Sequence, residues 1–352
     1  MRADPPEAPS VLTAMSGGVD SSVAAALLLE RGWNVTGFTL RLSDEPGSAG
    51  EGPSSARNVC EVLGVRHHAV DLREEFKEKV IRPFALAYAE GLTPNPCVWC
   101  NEAVKLRAGL DLARELDLGA VATGHYARTS FDEEKGYRLF RGADRTKDQS
   151  YFLYRLGQDE LAFLIFPLGN LRKEEVKTRA EALGLSMPRR ESQEACFVGG
   201  AGYAAVVEEL VDRPKEGDIV HVDGRRLGRH GGVHKFTVGQ RRGLGIAWSE
   251  PLYVVSMDAS RAEIRVGSVR DLERTSLRLT DTSWVSGRPP CGSFTVQVRY
   301  RHSGVAGTLC DEGIGRAQVR LEQPVRAPAA GQAIVLYDGE EVLGGGTLEE
   351  AI

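Results

Sequence analysis

A glycine-containing loop between an apolar run and a helical segment constrains this chain more than any other feature. Residues 16–22, Ser-Gly-Gly-Val-Asp-Ser-Ser, follow the apolar run at 11–14 and precede the Ala- and Leu-rich residues 23–30. A strand, a glycine loop and a helix in this order bring backbone N–H groups and a helix N-terminus together, which is typical of phosphate-binding loops. The loop lacks the Gly-Lys-Ser/Thr of a Walker loop, and its glycine spacing does not match a dinucleotide fingerprint. The sequence therefore predicts a phosphate site of another kind, and a plain Gly/Ser-rich turn is the alternative.

The first half of the chain alternates strand and helix patterns. Strands are predicted at 34–40, 67–72 and 120–124, and helices at 55–63, 74–88 and 102–116. This rhythm predicts an α/β domain with a parallel sheet and helices on both faces. Ligands of such sheets bind beyond the carboxyl ends of the strands. We therefore expect residues 16–22, Leu40, Gly124 and His125 along one edge of the sheet.

The second half changes to β patterns after about residue 200. Short alternating runs lie at 218–222, 294–300, 317–321 and 333–337, and two of them precede Asp-Gly turns. These patterns predict a small all-β module, either a barrel or a sandwich. The chain has 352 residues, more than one core usually organises, so two or three domains are expected.

Charge and hydropathy bound the class of protein. No apolar run approaches the ~20 residues that a membrane helix needs, and the polar, proline-rich N-terminus has no apolar signal core. Both points favour a cytoplasmic protein. The net charge of −5 does not by itself indicate nucleic acid, but residues 213–242 carry eight Lys/Arg against three Asp/Glu. Such a basic band can contact phosphates, and a solvated face explains the charge equally well.

Two of the six cysteines lie in residues 93–101, Thr-Pro-Asn-Pro-Cys-Val-Trp-Cys-Asn. The two prolines predict an extended loop before a helix that begins at about Glu102, with Asn101 as its cap. Cys100 would then lie just outside the helix N-terminus, where the dipole favours thiolate. The Cys97–Cys100 spacing is also typical of a pair of metal or cluster ligands.

The other four cysteines lie apart from this pair. Cys196 occupies a polar stretch at 191–199, Glu-Ser-Gln-Glu-Ala-Cys-Phe-Val-Gly. Cys60 falls in a helical apolar pattern and is predicted to be a buried small hydrophobe. Cys291 and Cys310 fall in the β-rich half, where we expect them to be buried as well.

These motifs together resemble the tRNA-specific 2-thiouridylase family, a branch of the N-type ATP pyrophosphatases. The matching strings, in order, are residues 15–22, 93–101, 122–128, 147–153, 192–197, 234–246, 299–301 and 344–346. The resemblance implies a Rossmann-like N-type ATP pyrophosphatase catalytic domain at 1–200. A small central tRNA-binding domain at 201–272 and a C-terminal β-barrel at 273–352 would follow it.

The resemblance also implies a two-step reaction on tRNA. ATP would adenylate the C2 oxygen of the wobble uridine at position 34 and release pyrophosphate, with Mg²⁺ neutralising the phosphates. A persulfide sulfur would then attack C2, and AMP would leave 2-thiouridine behind. The implied partners are tRNAs with U34, of the Lys, Glu and Gln anticodon types, and a protein that donates persulfide sulfur, with no membrane.

Site residues are implied position by position. The ATP-binding positions are Ala14, Met15, Ser16, Gly17, Gly18, Val19, Asp20, Ser21, Leu40 and Gly124. Cys196 would carry the persulfide, and Cys100 would be the second catalytic thiol, which resolves the persulfide or forms a disulfide bond with Cys196. The target base would meet Asn95, Pro96 and Cys97, and the other tRNA-binding positions are His125, Lys147, Asp148, Gln149, Arg299, Tyr300 and Gln332.

One departure from the family pattern concerns Cys97, where many members have Asp. The substitution gives three thiols, Cys97, Cys100 and Cys196, which would suit a [4Fe–4S] cluster as an alternative to the persulfide route. Two other classes of protein remain open from the residues alone. An ATP-dependent ligase or amidotransferase for a small molecule would share the loop but not need the thiols, and a non-catalytic RNA-binding protein would not need the loop.

Overall fold

The computed structural model describes residues 8–43, 52–185, 195–200, 202–212 and 215–352. The chain divides into two compact units, each made of separate stretches. The first contains Met1–Lys77, Trp99–Phe197 and Glu340–Val342, and the second contains Glu78–Val98, Val198–Gly339 and Leu343–Ile352. None of the helices in the described ranges is both long and apolar enough to span a bilayer.

The first unit is an α/β domain on a parallel sheet. Its strands are β1 (Ser10–Ala14), β2 (Asn34–Arg41), β3 (Arg66–Asp71), β4 (Ala120–Ala122), β5 (Ala127–Asp132), β6 (Gly136–Arg141) and β7 (Leu164–Ile165). Five of them form a sheet in the order β3-β2-β1-β4-β7, and each neighbouring pair in this order is parallel. β5 and β6 form an antiparallel hairpin, and β6 also pairs with Glu341 and Val342.

Helices follow the strands as the alternation predicts. They are α1 (Val19–Glu30), α2 (Gly52–Leu63), α3 (Arg73–Phe76), α4 (Arg82–Ala89), α5 (Pro96–Cys100), α6 (Leu106–Glu115), α7 (Gln158–Leu161), α8 (Lys173–Ala182) and α9 (Tyr203–Leu210). π-helical turns at Lys77–Ile81 and Asn101–Lys105 join α3 to α4 and α5 to α6. Short 3-10 turns lie at Ser150–Leu153, Val233–Lys235 and Arg270–Leu272.

Burial of the central strand and of α1 fixes the core of the first unit. Val11 and Leu12 on β1 are fully buried, as expected for a parallel sheet covered on both faces. α1 contributes Leu28 to the core cluster that contains Val11, and Leu27 to a second cluster that contains Tyr126 and Val176 of α8. α1 is therefore apolar on two sides, and its N-terminus is held at one place on the sheet.

The second unit contains two β assemblies. Its strands are β8 (Gly217–His221), β9 (Arg226–His230), β10 (Tyr253–Asp258), β11 (Glu263–Gly267), β12 (Glu273–Trp284), β13 (Ser293–Gln297), β14 (Val305–Gly313), β15 (Arg316–Arg326), β16 (Ala333–Asp338) and β17 (Glu341–Ala351). Strands β10-β11-β8-β9 form a small sheet, and β12-β15-β14-β13-β16-β17 close into an antiparallel barrel through a β12–β17 pairing. The predicted fold class, a parallel α/β domain followed by a small central module and a C-terminal barrel, is confirmed.

Two local predictions are wrong. The segment before Glu102 is not an extended loop, because α5 begins at Pro96 and continues through the π-helical turn into α6. Pro96 takes the first helical position, where a missing N–H costs nothing, and Asn101 bonds the carbonyl of Phe152 instead of capping a helix. Cys291 and Cys310 are exposed, whereas Cys60 is buried as predicted.

Candidate active site and RNA-contact positions

The loop at residues 16–22 turns sharply at its glycines. Gly17 has a φ of +81°, and a Cβ built there would lie 2.8 Å from Ser55 Oγ. Gly18 is extended and immediately precedes α1. Any side chain at Gly17 would therefore strain the backbone and clash with Ser55. Because glycine has no side chain, the backbone of the loop stays uncovered at this position.

The hydroxyl groups of the loop hold its shape. Ser21 Oγ accepts a hydrogen bond from the Ser16 amide at 3.1 Å and donates to the Gly18 carbonyl at 2.9 Å. Ser22 Oγ donates to the same carbonyl at 2.9 Å. Ser21 and Ser22 are buried and Ser16 is exposed. Ser16 Oγ lies 3.1 Å from Ser21 Oγ and accepts a hydrogen bond from the Gly18 amide at 3.3 Å. All three serines thus brace the loop, and Ser16 is the exposed one.

The carboxylate of Asp20 is tied to a lysine from far along the chain. Lys173 Nζ lies 2.8 Å from both Asp20 Oδ1 and Oδ2, and Tyr126 Oη donates to Asp20 Oδ1 at 2.8 Å. The Lys173 side chain is 9% exposed and that of Asp20 is 35% exposed. This arrangement places a nearly buried cation against a partly exposed carboxylate of the loop.

No motif pointed to Lys173, although one physical signal could have. Lys173 is the first residue of α8, where a positive charge opposes the helix dipole. Such a lysine needs a specific anionic partner, and Asp20 supplies it. Tyr126 lay inside a matched string, but its bond to Asp20 was not foreseen.

The strand ends bring several predicted ATP positions to the loop. A Cβ at Gly124 would lie 3.0 Å from the Ser21 amide nitrogen and 3.1 Å from the Asp20 carbonyl carbon. The Met15 amide donates to the Phe38 carbonyl at 2.7 Å, which ties the loop to β2 just before Leu40. Ala14, Leu40 and Gly124 therefore stand at the ends of three neighbouring strands, as the parallel topology predicts.

His125 follows Gly124 and is held in its neutral form. Its Nδ1 pairs with Thr123 Oγ1 at 2.8 Å, and its ring meets Phe166 edge-on. Burial, aided by the Lys105 ammonium, lowers the pKa of His125 to about 4. At neutral pH the ring therefore contributes hydrogen-bonding atoms and not charge.

The three cysteines of interest have different surroundings. Cys100 is 4% exposed, Cys97 is exposed and Cys196 is intermediate. Cys196 precedes Phe197, whose ring packs edge-on against Phe76 at 5.8 Å between centroids. The neighbours of Cys196 at 191–194 lie outside the described residues. All six cysteines are free thiols in this structure.

A metal or cluster site is not formed by these thiols. Among the described residues, no three His, Cys, Asp or Glu side chains lie together as a group that could hold a metal ion. Cys97, Cys100 and Cys196 all belong to the described part of the chain. The described part of the chain therefore gives the cluster interpretation no support.

The Lys147-Asp148-Gln149 string is fixed mainly by internal bonds. Asp148 is 7% exposed, and its carboxylate accepts bonds from Arg141, the Gly142 amide and the Ser150 amide. Gln149 Oε1 accepts the Tyr126 amide at 3.0 Å. Lys147 is half-buried. Asp148 and Gln149 thus shape the turn next to Tyr126, and direct RNA contacts by this string stay a prediction.

Exposed arginines of the second unit differ in whether a carboxylate lies close enough to neutralise their charge. Arg225 pairs with Asp223 at 2.6 Å and Arg229 with Glu216 at 3.6 Å. Arg241 and Arg242 are exposed, and within the part of the chain that the structure describes neither forms an ion pair. Arg299 is exposed too, and its Nη1 donates to the Arg326 carbonyl at 3.2 Å.

Two further predicted RNA positions lie in the second unit. Tyr300 is half-buried, and Arg301 lies 6.0 Å from the centre of its ring. Gln332 lies in the turn between β15 and β16 and is half-buried. Asn95 and Pro96 belong to the same unit, and Asn95 Oδ1 accepts the Ala333 amide at 2.6 Å.

A parallel α/β unit with a Ser/Gly loop at its strand ends, joined to β modules, defines a nucleotide-using enzyme class. Family models match the chain in three consecutive parts. They are the tRNA methyl transferase HUP domain at 9–200, the tRNA methyl transferase PRC-barrel domain at 205–268 and the aminomethyltransferase β-barrel domain at 274–348.

Curated relatives cover almost the whole chain. A tRNA-specific 2-thiouridylase MnmA of Chloroflexus aurantiacus is 48% identical over 351 residues, which span 96% of this chain and 97% of the relative. The protein of the same name from Syntrophotalea carbinolica is 47% identical, again over 96% of this chain and 97% of the relative. The one from Sorangium cellulosum is 45% identical over 99% of this chain and 96% of the relative. The chain therefore belongs to the tRNA-specific 2-thiouridylase family.

Proposed function

We propose that this protein is an ATP-dependent tRNA sulfurtransferase that converts the C2 carbonyl of the wobble uridine into a thiocarbonyl. The observation that carries the proposal is membership of the 2-thiouridylase family at 47–48% identity over nearly the full chain. The loop at 16–22 supports it, because a glycine turn with an exposed Ser16 beside a helix N-terminus suits a pyrophosphate group.

Activation of the uridine requires phosphate chemistry. Oxide is a poor leaving group from a ring carbonyl, so the C2 oxygen attacks the α-phosphorus of ATP and pyrophosphate leaves. Lys173 would stabilise the charge on the departing phosphates. Mg²⁺ would accompany ATP, and Asp20 is the carboxylate of the loop that could contact it. Gly124 would let the nucleotide approach the backbone closely.

Sulfur transfer would use two thiols. A donor protein would first place a persulfide on Cys196, and its terminal sulfur would attack C2 so that AMP leaves with the original oxygen. Cys100 as thiolate would then attack Cys196 Sγ, forming a Cys100–Cys196 disulfide and releasing 2-thiouridine. An external thiol would reduce the disulfide before the next turnover. This sequence balances without a metal cluster.

Substrate recognition would combine phosphate contacts with a displaced base. The exposed, unpaired Arg241 and Arg242 support phosphate contacts by the second unit. The target uridine must leave the anticodon stack to meet a nucleotide on the protein. Residues 95–97 are the proposed contacts of the target base, and His125 and Tyr300 are proposed tRNA contacts.

One assay separates this function from its rivals. Purified protein is incubated with unmodified tRNA, ATP, Mg²⁺ and a persulfide donor, and the products are 2-thiouridine by mass spectrometry, AMP and pyrophosphate. Omission of ATP and the Asp20→Ala variant are the controls, and both should give no 2-thiouridine. A rate of ATP cleavage that does not depend on tRNA would favour a small-molecule ligase. Binding of tRNA without ATP cleavage would favour a non-catalytic RNA-binding protein.

A further inference from the structure

Two segments of the second unit, residues 93–97 and the turn at 329–333, are joined by hydrogen bonds across a long stretch of sequence. Asn95 Oδ1 accepts the Ala333 amide at 2.6 Å, across 238 residues. The Thr93 amide donates to the Ala330 carbonyl at 2.7 Å. Because a backbone amide can only donate, the Asn95 atom that faces Ala333 must be its carbonyl oxygen.

The turn is shaped to receive this contact. Gly331 has a φ of +90°, and a Cβ there would lie 3.0 Å from both Leu92 Cβ and the Thr93 nitrogen. On its other side the turn bonds to β17, since Gly331 donates to the Leu348 carbonyl and Leu348 donates to the Gln332 carbonyl, both at 2.8 Å. The backbone of Gln332 is therefore held between β17 and the 93–95 segment.

We propose that Asn95 is a positioning residue for the RNA site. By accepting the Ala333 amide, its side chain fixes the turn at 329–333 and so sets where Gln332 stands relative to residues 95–97. This inference rests on the proposed function, which assigns residues 95–97 to the target base and Gln332 to tRNA. Within that segment it gives the Asn95 side chain the role of holding the turn and not of contacting the base itself. Ala333 is 3% exposed, so its amide is shielded from water. Loss of the Asn95 acceptor should therefore destabilise the conformation of the turn at 329–333.

The contact itself can be tested without RNA. Asn95→Ala removes the acceptor, and Asn95→Asp keeps an acceptor oxygen of the same reach. Amide exchange at Ala333 is expected to quicken about tenfold in Asn95→Ala and to stay near the parent rate in Asn95→Asp. Gly331→Ala displaces the turn by placing a Cβ against Leu92 and Thr93, so it should quicken exchange at Ala333 as Asn95→Ala does. The two variants are independent, so the contact can still be tested if one of them does not fold. Unchanged exchange at Ala333 in Asn95→Ala would overturn the proposal.

The positioning role is tested by tRNA binding and thiolation in a double-mutant cycle with Gln332→Ala. Asn95→Ala should lower kcat/KM for tRNA about tenfold, and adding Gln332→Ala to it should cost little more, because the two act through one turn. Asn95→Asp should restore most of the activity. If Asn95 instead reads the base edge, Asn95→Asp will be as damaging as Asn95→Ala and the two losses will add, which overturns the proposal. A parent that neither binds nor thiolates tRNA would refute the proposed function, while the exchange measurement still judges the contact.

Discussion

The ammonium of Lys173 lies 2.8 Å from each carboxylate oxygen of Asp20, 153 residues away in the sequence. Asp20 belongs to the loop at residues 16–22, and Lys173 is the first residue of α8. The lysine is nearly buried and the carboxylate is not. An anionic ligand on the loop would therefore find a cation that is already in place and already desolvated.

Removal of that cation should impair the activation step. Lys173→Met keeps the length of the side chain and removes its charge, so pyrophosphate release with tRNA should fall about a hundredfold. Binding of tRNA should change little. The matched control is Lys177→Met on the same helix, since Lys177 pairs with the exposed Glu174 on the surface. Equal rates in the two variants would contradict the assignment.

A side chain at Gly124 should shift the loop at residues 16–22 and so weaken ATP binding. In Gly124→Ala the new Cβ would lie 3.0 Å from the Ser21 nitrogen, which is backbone and cannot swing away. We expect KM for ATP to rise about tenfold. Gly119→Ala is the control, because its Cβ would be 3.6 Å from its nearest neighbour, the Ser10 carbonyl oxygen. A normal KM in Gly124→Ala would show that the nucleotide does not depend on this close approach.

Arg241 and Arg242, which form no ion pair with any residue that the structure describes, should contribute to the salt dependence of tRNA binding. Arg241→Ala and Arg242→Ala should each weaken affinity and flatten the plot of log affinity against log salt by about one unit. Arg229→Ala is the control, because Glu216 already lies beside that charge. Affinity measured from low to moderate salt checks this. Slopes equal to that of the parent protein would mean that Arg241 and Arg242 only face solvent.

The thiols should separate into a donor, a resolver and a bystander. Cys196→Ser should adenylate tRNA but take up no labelled sulfur, and Cys100→Ser should take up label yet release no 2-thiouridine. Cys97→Ser should be mild, since Cys97 is exposed and belongs to no metal-binding group among the described residues. Cys291→Ser is the control for an exposed thiol elsewhere. Equal and complete loss in all three variants, together with iron in the parent protein, would restore the cluster mechanism.

His125 should make the fold sensitive to mild acid. Its folded pKa is about 4 against about 6.5 unfolded, so between these values the unfolded chain binds the proton and stability falls as pH falls. From pH 7 to 5 the loss is at most about 2 kcal/mol, because the ring keeps some exposure to water. His125→Gln should lose correspondingly less stability over that range. Urea titrations at both pH values measure the difference, and an identical loss in parent and variant would contradict it.

The strand, glycine turn and helix at residues 10–30 were predictable because their signals are local. Gly17 and Gly18 adjoin an apolar strand and a helix, and these residues alone fix a turn with a positive φ. The alternation of strand and helix patterns likewise predicted the parallel sheet. By contrast, the pairing of Lys173 with Asp20 and of Ala333 with Asn95 joins distant residues, and no periodicity encodes such contacts.

The segment around Cys100 shows how a local rule can mislead. Two prolines favour an extended backbone, yet Pro96 opens α5 because the first helical position tolerates proline. The π-helical turn at Asn101–Lys105 then carries the helix on into α6, a feature with no sequence signature. The predicted burial of Cys310 is wrong because strands of a small barrel have one face in water, and that of Cys291 is wrong because it lies in the connection between β12 and β13.

The pairing of β6 with Glu341–Val342 sets an order of events during synthesis. Arg138 of β6 bonds Glu341, 203 residues later, and Arg145 bonds Glu340 at 2.8 Å. A ribosome needs about 10–40 s to cover such a distance, during which the nascent hairpin keeps a strand edge open. Residues 78–98 belong to the second unit, and the rest of that unit begins only at residue 198, so they too are synthesised well before the residues they pack with. A fragment that stops near residue 200 would thus be an arrested folding intermediate and not a smaller enzyme.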